Sequence, residues 1–161
     1  MKCENSNKVQ YSYALVTPAK NEEEYIANTI ESIGNQEIKP VRWVIVSDGS
    51  VDGTDRIARD ASKKYPFIEL IRIEKCGNRS FGSKSHAFQI GYLVLRNMEI
   101  KYVGNLDADI TLPTYYYRKI IERMIDKPAI GVSSGYCLDK VKGGFQKVVS
   151  SQNHAVGAVH L

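Results

Sequence analysis

Short apolar runs alternate with helical patterns along this chain, and this alternation restricts the fold more than any other feature of the sequence. Runs at residues 13–17, 43–47, 68–73, 102–106 and 129–133 predict five strands. The second run is apolar from Trp43 to Val46, as expected for a strand covered on both faces of a parallel sheet. Strands that alternate with helices predict an α/β fold, with a doubly wound, mostly parallel sheet and helices on both faces.

Apolar residues at helical spacing predict a helix after each of the first four strands. The first helix starts near Asn21, and the second starts near Asp52, which can cap its N-terminus. The predicted inward residues are Ile26, Ile30 and Ile33; then Ile57, Ala58 and Ala61; then Ala87, Ile90, Gly91, Val94, Leu95 and Met98; and finally Tyr117, Ile120, Ile121 and Met124. We predict one α/β domain at residues 12–139, preceded by a polar, disordered leader at residues 1–11.

The composition fits a soluble domain and argues against several classes of partner. The 161 residues are 43% hydrophobic and 25% charged, which suffices for a sizeable core. The 22 basic and 18 acidic residues are mixed along the chain, so the net charge of +4 forms no basic stripe, and we expect no nucleic-acid partner. No apolar run reaches the roughly 18 residues of a membrane span. Because three cysteines without metal spacing suit reduced thiols, we expect a cytoplasmic protein, with membrane contact only through regions outside this sequence.

Polar segments follow the first four predicted strands, at residues 17–21, 47–50, 75–84 and 107–109. The carboxyl ends of parallel strands lie at the same edge of a sheet, where ligands of open α/β folds bind. Four polar loops at this edge therefore predict one binding site.

Asp107 and Asp109 follow the fourth predicted strand and are separated by one residue. Carboxylate oxygens at this spacing suit Mg²⁺ or Mn²⁺ that also binds phosphate oxygens, with water completing the coordination. The alternative is an Asp-rich turn that precedes the helix indicated by residues 111–113.

The loops after the first two strands favour a nucleoside over a phosphate. Glu22, Glu23 and Glu24 are predicted in the first turn of a helix, where they suit the helix dipole but repel phosphate. Asp48 ends an apolar strand and needs a hydrogen-bond donor, which the imide of a pyrimidine or the amino group of a purine would supply. The alternative is that Asp48 only organises the turn at residues 48–50.

The third loop has part of the pattern of a phosphate-binding P-loop. Gly77 and Gly82 have the correct spacing, but Lys84 does not directly follow the second glycine as the motif requires. Lys75, Arg79 and Lys84 remain candidate cations for a diphosphate. A P-loop-like NTPase is therefore kept as an alternative, and the glycine fingerprint of a dinucleotide-binding fold is absent from the sequence.

The order of four motifs resembles the donor-binding half of inverting family-two glycosyltransferases with the GT-A fold. These motifs are at residues 16–23, 46–54, 82–87 and 106–109. By this resemblance, Thr17, Pro18, Glu22 and Asp48 would bind the nucleoside, Lys84 would approach the diphosphate, Asp107 would lie on the ribose side, and Asp109 would bind the divalent metal, Mn²⁺ or Mg²⁺. Residues 12–139 would then be the nucleotide-sugar-binding domain, and residues 140–161 the start of a truncated acceptor-side region.

The resemblance also implies a reaction. A sugar would pass from a UDP- or GDP-linked donor to a hydroxyl of a glycan or lipid-linked acceptor, with inversion at the anomeric carbon. In such enzymes a carboxylate base takes the acceptor proton, and the resemblance places that base beyond Leu161, since Asp139 comes too early in the pattern. We therefore expect this chain to bind donor without transferring sugar. The alternative is a nucleotide-binding or regulatory module without catalysis.

Overall fold

The computed structural model describes residues 11–74, 81–136, 138–141, 144–147 and 159–161. The strands are β1 (Tyr13–Ala19), β2 (Arg42–Asp48), β3 (Ile68–Ile73), β4 (Tyr102–Leu106), β5 (Leu138–Val141), β6 (Gly144–Lys147) and β7 (Val159–His160). The helices are α1 (Ile26–Gly34), α2 (Thr54–Lys64), α3 (Phe81–Leu95) and α4 (Tyr116–Asp126). Strands and helices alternate from β1 to α4, as the sequence predicts.

The main sheet has five strands in the order β3-β2-β1-β4-β7. The strands β1 to β4 are parallel, with Leu15 opposite Trp43, and β7 is antiparallel to β4. The winding direction reverses between β1 and β4, because β2 and β3 lie on one side of β1 and β4 lies on the other. In open α/β sheets the crevice at such a reversal is the usual ligand site.

Two apolar layers cover the sheet, one on each face. Leu15 and Ile45 pack toward α1, α2 and α4, whereas Val16 and Val46 pack toward α3. This alternation follows from the two-residue period of a strand, and it explains why β1 and β2 are apolar along most of their length. The prediction of a mostly parallel sheet with helices on both faces is confirmed.

Gly91 lets α3 lie directly on the sheet. A Cβ at this position would lie 2.5 Å from Cγ1 of Val16, closer than real Cβ atoms approach. Glycine is therefore required by space at this point of α3. Lys84 lies near the start of the same helix.

The structure corrects the predicted start of α1 and the outline of α3. The first helix begins at Ile26, and Asn21 has the left-handed φ of 54°, so Glu22 to Glu24 lie in a turn before the helix. In α3, Val94 is 37% exposed, and the helix ends at Leu95, although Met98 beyond it is partly buried against the core as predicted. The other predicted inward residues are buried or partly buried against the core.

The predicted fifth strand at residues 129–133 is wrong. This segment consists of a turn and irregular chain, and its apolar run is too short to distinguish a strand from a loop that packs on a helix. Ser133 nevertheless exchanges two backbone hydrogen bonds of 2.9 Å with Leu161. The strands β5 and β6 form a separate antiparallel pair.

The domain boundaries stay predictions. Residues 1–10 of the predicted leader and many residues between 142 and 158 lie outside the described part of the chain. Among the helices that are described, none combines the length and the apolar character of a transmembrane span.

Candidate functional site

A cavity of about 360 Å³ opens where β1, β2 and β4 end and α3 begins. Six of the seven residues predicted from the sequence line it: Pro18, Glu22, Asp48, Lys84, Asp107 and Asp109. Ala19, Lys20, Ser83, Ala87 and Ala108 complete the lining. The cavity has two charged ends, which we call the β2 end (Lys20 and Asp48) and the β4 end (Lys84, Asp107 and Asp109). The structure thus brings residues of all four predicted polar segments together, although most of the segment at residues 75–84, including Lys75 and Arg79, lies outside the described residues.

Thr17 is the predicted residue that does not line the cavity. Its side chain is fully buried, and its Oγ1 accepts a hydrogen bond of 2.8 Å from Nε1 of Trp43. This bond satisfies the one polar atom of a large core side chain. The contact of the Thr17 side chain is therefore structural, and its predicted role in nucleotide binding has no support from side-chain geometry.

The β2 end contains a buried ion pair that sequence reasoning missed. Nζ of Lys20 lies 2.9 Å from Oδ2 of Asp48, with only 14% and 5% of the two side chains exposed. The parallel register places Ala19 opposite Ser47, so the next residue on each strand falls at the same edge. Strand register was thus the signal that could have revealed the pair. Oδ1 of Asp48 is also buried and has no hydrogen-bond partner among the described residues.

The first two loops are joined by hydrogen bonds between their side chains and backbones. The amide of Asn21 donates to Oγ of Ser50 over 3.1 Å, and the amide of Val51 donates to Oδ1 of Asn21 over 2.9 Å. Oε2 of Glu23 accepts a 2.6 Å hydrogen bond from the amide of Gly53, at the start of α2. Glu23 therefore stabilises the next helix and not its own, which corrects the predicted role. These bonds fix the backbone beside the Lys20–Asp48 pair.

The β4 end is more open. Nζ of Lys84 lies 2.7 Å from Oδ1 of Asp107, with 44% and 21% of the side chains exposed, and Asp109 is exposed. Between the two acids, Ala108 is buried, and its carbonyl oxygen accepts a 2.7 Å hydrogen bond from Oγ1 of Thr29 on α1. Water and ligands can therefore reach Asp109 and part of Asp107, while Oδ1 of Asp107 is buried beside Lys84 and the backbone between the two acids is held.

Acidic side chains surround Tyr25, which precedes α1 and is not among the residues that line the cavity. The pKa of Tyr25 is raised, mainly because the carboxylate of Glu24 opposes ionisation of the phenol and accepts its hydrogen bond. The charges of Asp109 and Glu22 act in the same direction. Two of these acids, Asp109 and Glu22, also line the cavity.

The residues at the β4 end fit one particular way of binding a metal. Among the described residues, no group of three or more His, Cys, Asp or Glu side chains could hold a metal ion alone. Two carboxylates on the wall of a cavity suit Mg²⁺ or Mn²⁺ that takes its other ligands from phosphates and water. The donor set is therefore consistent with a metal that enters together with a phosphate ligand.

The family model described as "Glycosyl transferase family 2" matches residues 14–151, which include the residues that line the cavity and the parallel strands except Tyr13, but not β7. This chain belongs to glycosyl transferase family 2. The resemblance predicted from the four motifs is thereby confirmed.

Three related proteins of this family or fold illustrate the likeness. Glycosyltransferase GlyA of Streptococcus pneumoniae is 30% identical over 135 residues, which are 81% of this chain and 18% of GlyA. The chain thus spans about a fifth of that relative. A mannosyltransferase of Pyrobaculum calidifontis, solved with GDP-Man and Mn²⁺, aligns with a TM-score of 0.59 and 24% identity over 74% of this chain and 34% of its own. Staphylococcus aureus TarS 1–349, solved with UDP-GlcNAc, aligns with a TM-score of 0.57 and 19% identity over 71% of this chain and 31% of its own. These two structures show that family 2 membership here comes with the GT-A type of α/β fold.

Proposed function

We propose that this chain binds a nucleotide-diphosphate sugar in the cavity and forms the donor half of an inverting, metal-dependent glycosyltransferase. One observation carries the proposal: a single cavity has a buried acid with a free oxygen at one end and a cation beside two acids at the other. A nucleotide diphosphate has the complementary chemistry, since its base offers N–H donors and its diphosphate needs cations. The two complexes with GDP-Man and UDP-GlcNAc support this ligand class.

The nucleobase is assigned to the β2 end. Oδ1 of Asp48 is buried without a partner, and a buried acceptor of this kind is costly unless a donor reaches it. An imide or amino N–H of a base can supply that hydrogen bond. Lys20 neutralises the carboxylate through Oδ2, so the base meets one defined acceptor. Glu22 and Pro18 line the cavity beside this position and would contact the nucleoside.

The diphosphate is assigned to the β4 end. Lys84 is positioned to contact phosphate oxygens, Asp107 holds Lys84 by charge, and Asp109 is available as a metal ligand. A bound Mn²⁺ or Mg²⁺ would supply Lewis-acid stabilisation of the negative charge on the leaving diphosphate.

We propose that the acceptor proton is taken by a carboxylate outside residues 1–161. The four acids that line the cavity have binding roles in this proposal, and Asp139 lies in the hairpin formed by β5 and β6. The isolated chain should then bind donor and transfer no sugar. Incubation with UDP- and GDP-sugars, Mn²⁺ and glycan or lipid-linked acceptors, with nucleotide release as the readout, tests this. Turnover that depends on acceptor would contradict it and make Asp139 the first residue to mutate.

Donor binding itself is tested by calorimetry of the chain with UDP, GDP, uridine and guanosine, each with and without Mn²⁺. We expect one diphosphate to bind, more tightly with Mn²⁺, and its nucleoside to bind weakly without metal dependence. Absence of any nucleotide binding would overturn the proposal. Nucleotide binding followed by no transfer, even in a longer form of the protein, would favour the non-catalytic module. A cytoplasmic location also stays a proposal, tested by fractionation of cells that express the full-length protein.

A further inference from the structure

The loop that carries the two acids is hydrogen-bonded to α1 and to the short segment that follows α1. We call residues 107–115, between β4 and α4, the acid loop. Thr29 on α1 donates to the carbonyl oxygen of Ala108 over 2.7 Å. Beyond α1, Gln36 donates from Nε2 to the carbonyl oxygen of Pro113 over 2.8 Å, and the amide of Glu37 donates to that of Thr114 over 2.8 Å. Helix α1 and its extension therefore contact both ends of the acid loop.

Thr29 makes the contact nearest to the acids. Its side chain is fully buried, and its hydroxyl has one proton to donate. Two acceptors lie within reach: the carbonyl oxygen of Tyr25 at 3.5 Å and that of Ala108 at 2.7 Å. The shorter distance assigns the proton to Ala108. Thr29 thus gives up the local bond that a helical threonine often makes and binds a residue 79 positions away.

The bond to Ala108 acts on both acids at once. Ala108 is the residue between Asp107 and Asp109, and it is 3% exposed, so water does not readily replace the hydroxyl. A peptide oxygen fixed at this point limits rotation of the backbone on either side of it. The directions in which the two carboxylates leave the chain are therefore set partly by α1.

We propose that Thr29 is a positioning residue that orients the metal-binding carboxylate of Asp109 through the backbone of Ala108. This inference rests on the proposed function, because it assumes that Asp109 binds a metal. Thr29 contacts neither metal nor nucleotide. Its contribution is preorganisation: the acid loop has its bound geometry before the metal arrives.

The test compares three variants of the full 161-residue chain with the unchanged protein. Thr29→Val keeps the shape of the side chain but removes the donor, and Thr29→Ser keeps the donor. Tyr13→Phe is the matched control, because the hydroxyl of Tyr13 also donates to a backbone carbonyl, that of Ile38, over 2.7 Å at the opposite end of β1. Calorimetry with Mn²⁺ and UDP or GDP measures the metal dependence of binding. Hydrogen exchange at the amides of Asp109 and Ile110 measures the order of the loop without any ligand.

We expect Thr29→Val to weaken Mn²⁺-dependent binding by about tenfold, the lower range for loss of a group that orients a metal ligand. Binding of the free nucleoside should not change. Exchange at residues 109 and 110 should become about tenfold faster in Thr29→Val, because the loop opens more often. Thr29→Ser and Tyr13→Phe should match the unchanged protein in both measurements.

Two failures can be told apart. If the unchanged protein binds nucleotide without any response to Mn²⁺, the proposed function fails, and exchange alone decides whether Thr29 orders the loop. If Mn²⁺ strengthens binding equally in Thr29→Val and the unchanged protein, the positioning role is overturned while the proposed function stands. An equal loss in Tyr13→Phe would also overturn it, because general destabilisation would then explain the effect. If Thr29→Val does not fold, Thr29→Ala provides the same comparison.

Discussion

The two ends of the cavity are built in different ways. At the β2 end, Lys20 and Asp48 are almost completely buried, and hydrogen bonds between the first two loops fix the backbone around them. At the β4 end, Lys84 and Asp107 are partly exposed, and Asp109 is exposed. At the β2 end, contacts within the protein already hold the side chains and the backbone in place. The other end holds its backbone in place but leaves its charges accessible.

This difference indicates which part of a ligand each end suits. A buried acid with one unused oxygen discriminates by hydrogen bonding, because any ligand without the matching donor leaves that oxygen unpaired. Exposed charges discriminate little by shape, but they attract phosphate and metal and respond to salt. The β2 end should therefore determine which nucleotide binds, and the β4 end should determine how strongly its diphosphate and metal bind.

The largest expected effect is at the β4 end. Asp109→Asn should weaken Mn²⁺-dependent binding of a nucleotide diphosphate by about 100-fold, because it removes a charged metal ligand, while free nucleoside binds as before. Calorimetry with both ligands, with and without Mn²⁺, measures this. Asp126→Asn, at an exposed acid in the last turn of α4, is the control. Equal losses for both ligands, or no loss, would contradict the assignment of Asp109 as a metal ligand. The proposed difference between the β2 end and the β4 end would then also be wrong.

The next effect is at the β2 end. Asp48→Ala should cost about 1 to 3 kcal/mol of binding free energy with the preferred nucleotide, as expected when a buried polar partner is lost. It should also reduce discrimination among UDP, GDP and CDP. Titrations of the three nucleotides test both points. Asp60→Ala removes an ion pair of 2.7 Å that is exposed on α2, so it should change neither. Asp48 would be only a turn organiser if the variant lost thermal stability but kept its nucleotide preference.

A smaller effect is expected for Lys84→Met. The lysine is 44% exposed, so its attraction for a diphosphate is screened, and we expect a loss of about 1 kcal/mol at low salt that shrinks as salt rises. Uridine or guanosine should bind as before. Affinities measured across a salt series give the result, with Lys63→Met on α2 as the control. A loss independent of salt would mean that Lys84 acts through packing and not through charge.

The smallest effect concerns the loops that close the β2 end. Burial raises the pKa of Asp52, but hydrogen bonds from the hydroxyl and amide of Thr54 and from the amide of Glu23 outweigh it and lower the pKa below 3.8. The ionised carboxylate therefore stabilises the fold above that pH, and the contribution is lost as the pH falls through the folded-state pKa. Asp52→Asn should lower the free energy of unfolding by less than about 1 kcal/mol near neutral pH. Urea titrations at about pH 7 and about pH 2 should show that this difference in the free energy of unfolding shrinks in acid. A difference that does not change with pH would mean that the shape of the Asp52 side chain, and not its charge, stabilises the fold.

Much of the fold could be predicted because it depends on local pattern. Continuous apolar runs gave β1 to β4, and the spacing of Ile26, Ile30 and Ile33 gave the buried face of α1. The same rule wrongly predicted a strand at residues 129–133. A short apolar segment suits a strand or a packed loop equally, and the choice depends on whether a sheet edge is available to it. The start of α1 was also predicted wrongly. The amides of Asn21 and Glu23 donate hydrogen bonds to the loop after β2, so the helix begins only after them.

The sequence by itself determined the α/β class, the alternation of strands and helices, and the gathering of polar loops at one sheet edge, because these follow from periodicity and from the geometry of parallel strands. Only the tertiary structure determined which residues from different elements contact each other near that edge. Lys20 meets Asp48 from 28 residues away, and Thr29 meets Ala108 from 79. It also turned Thr17 toward Trp43 and away from the cavity. Such contacts join elements distant in the chain, and strand order, register and packing, which no local pattern encodes, determine which side chains meet.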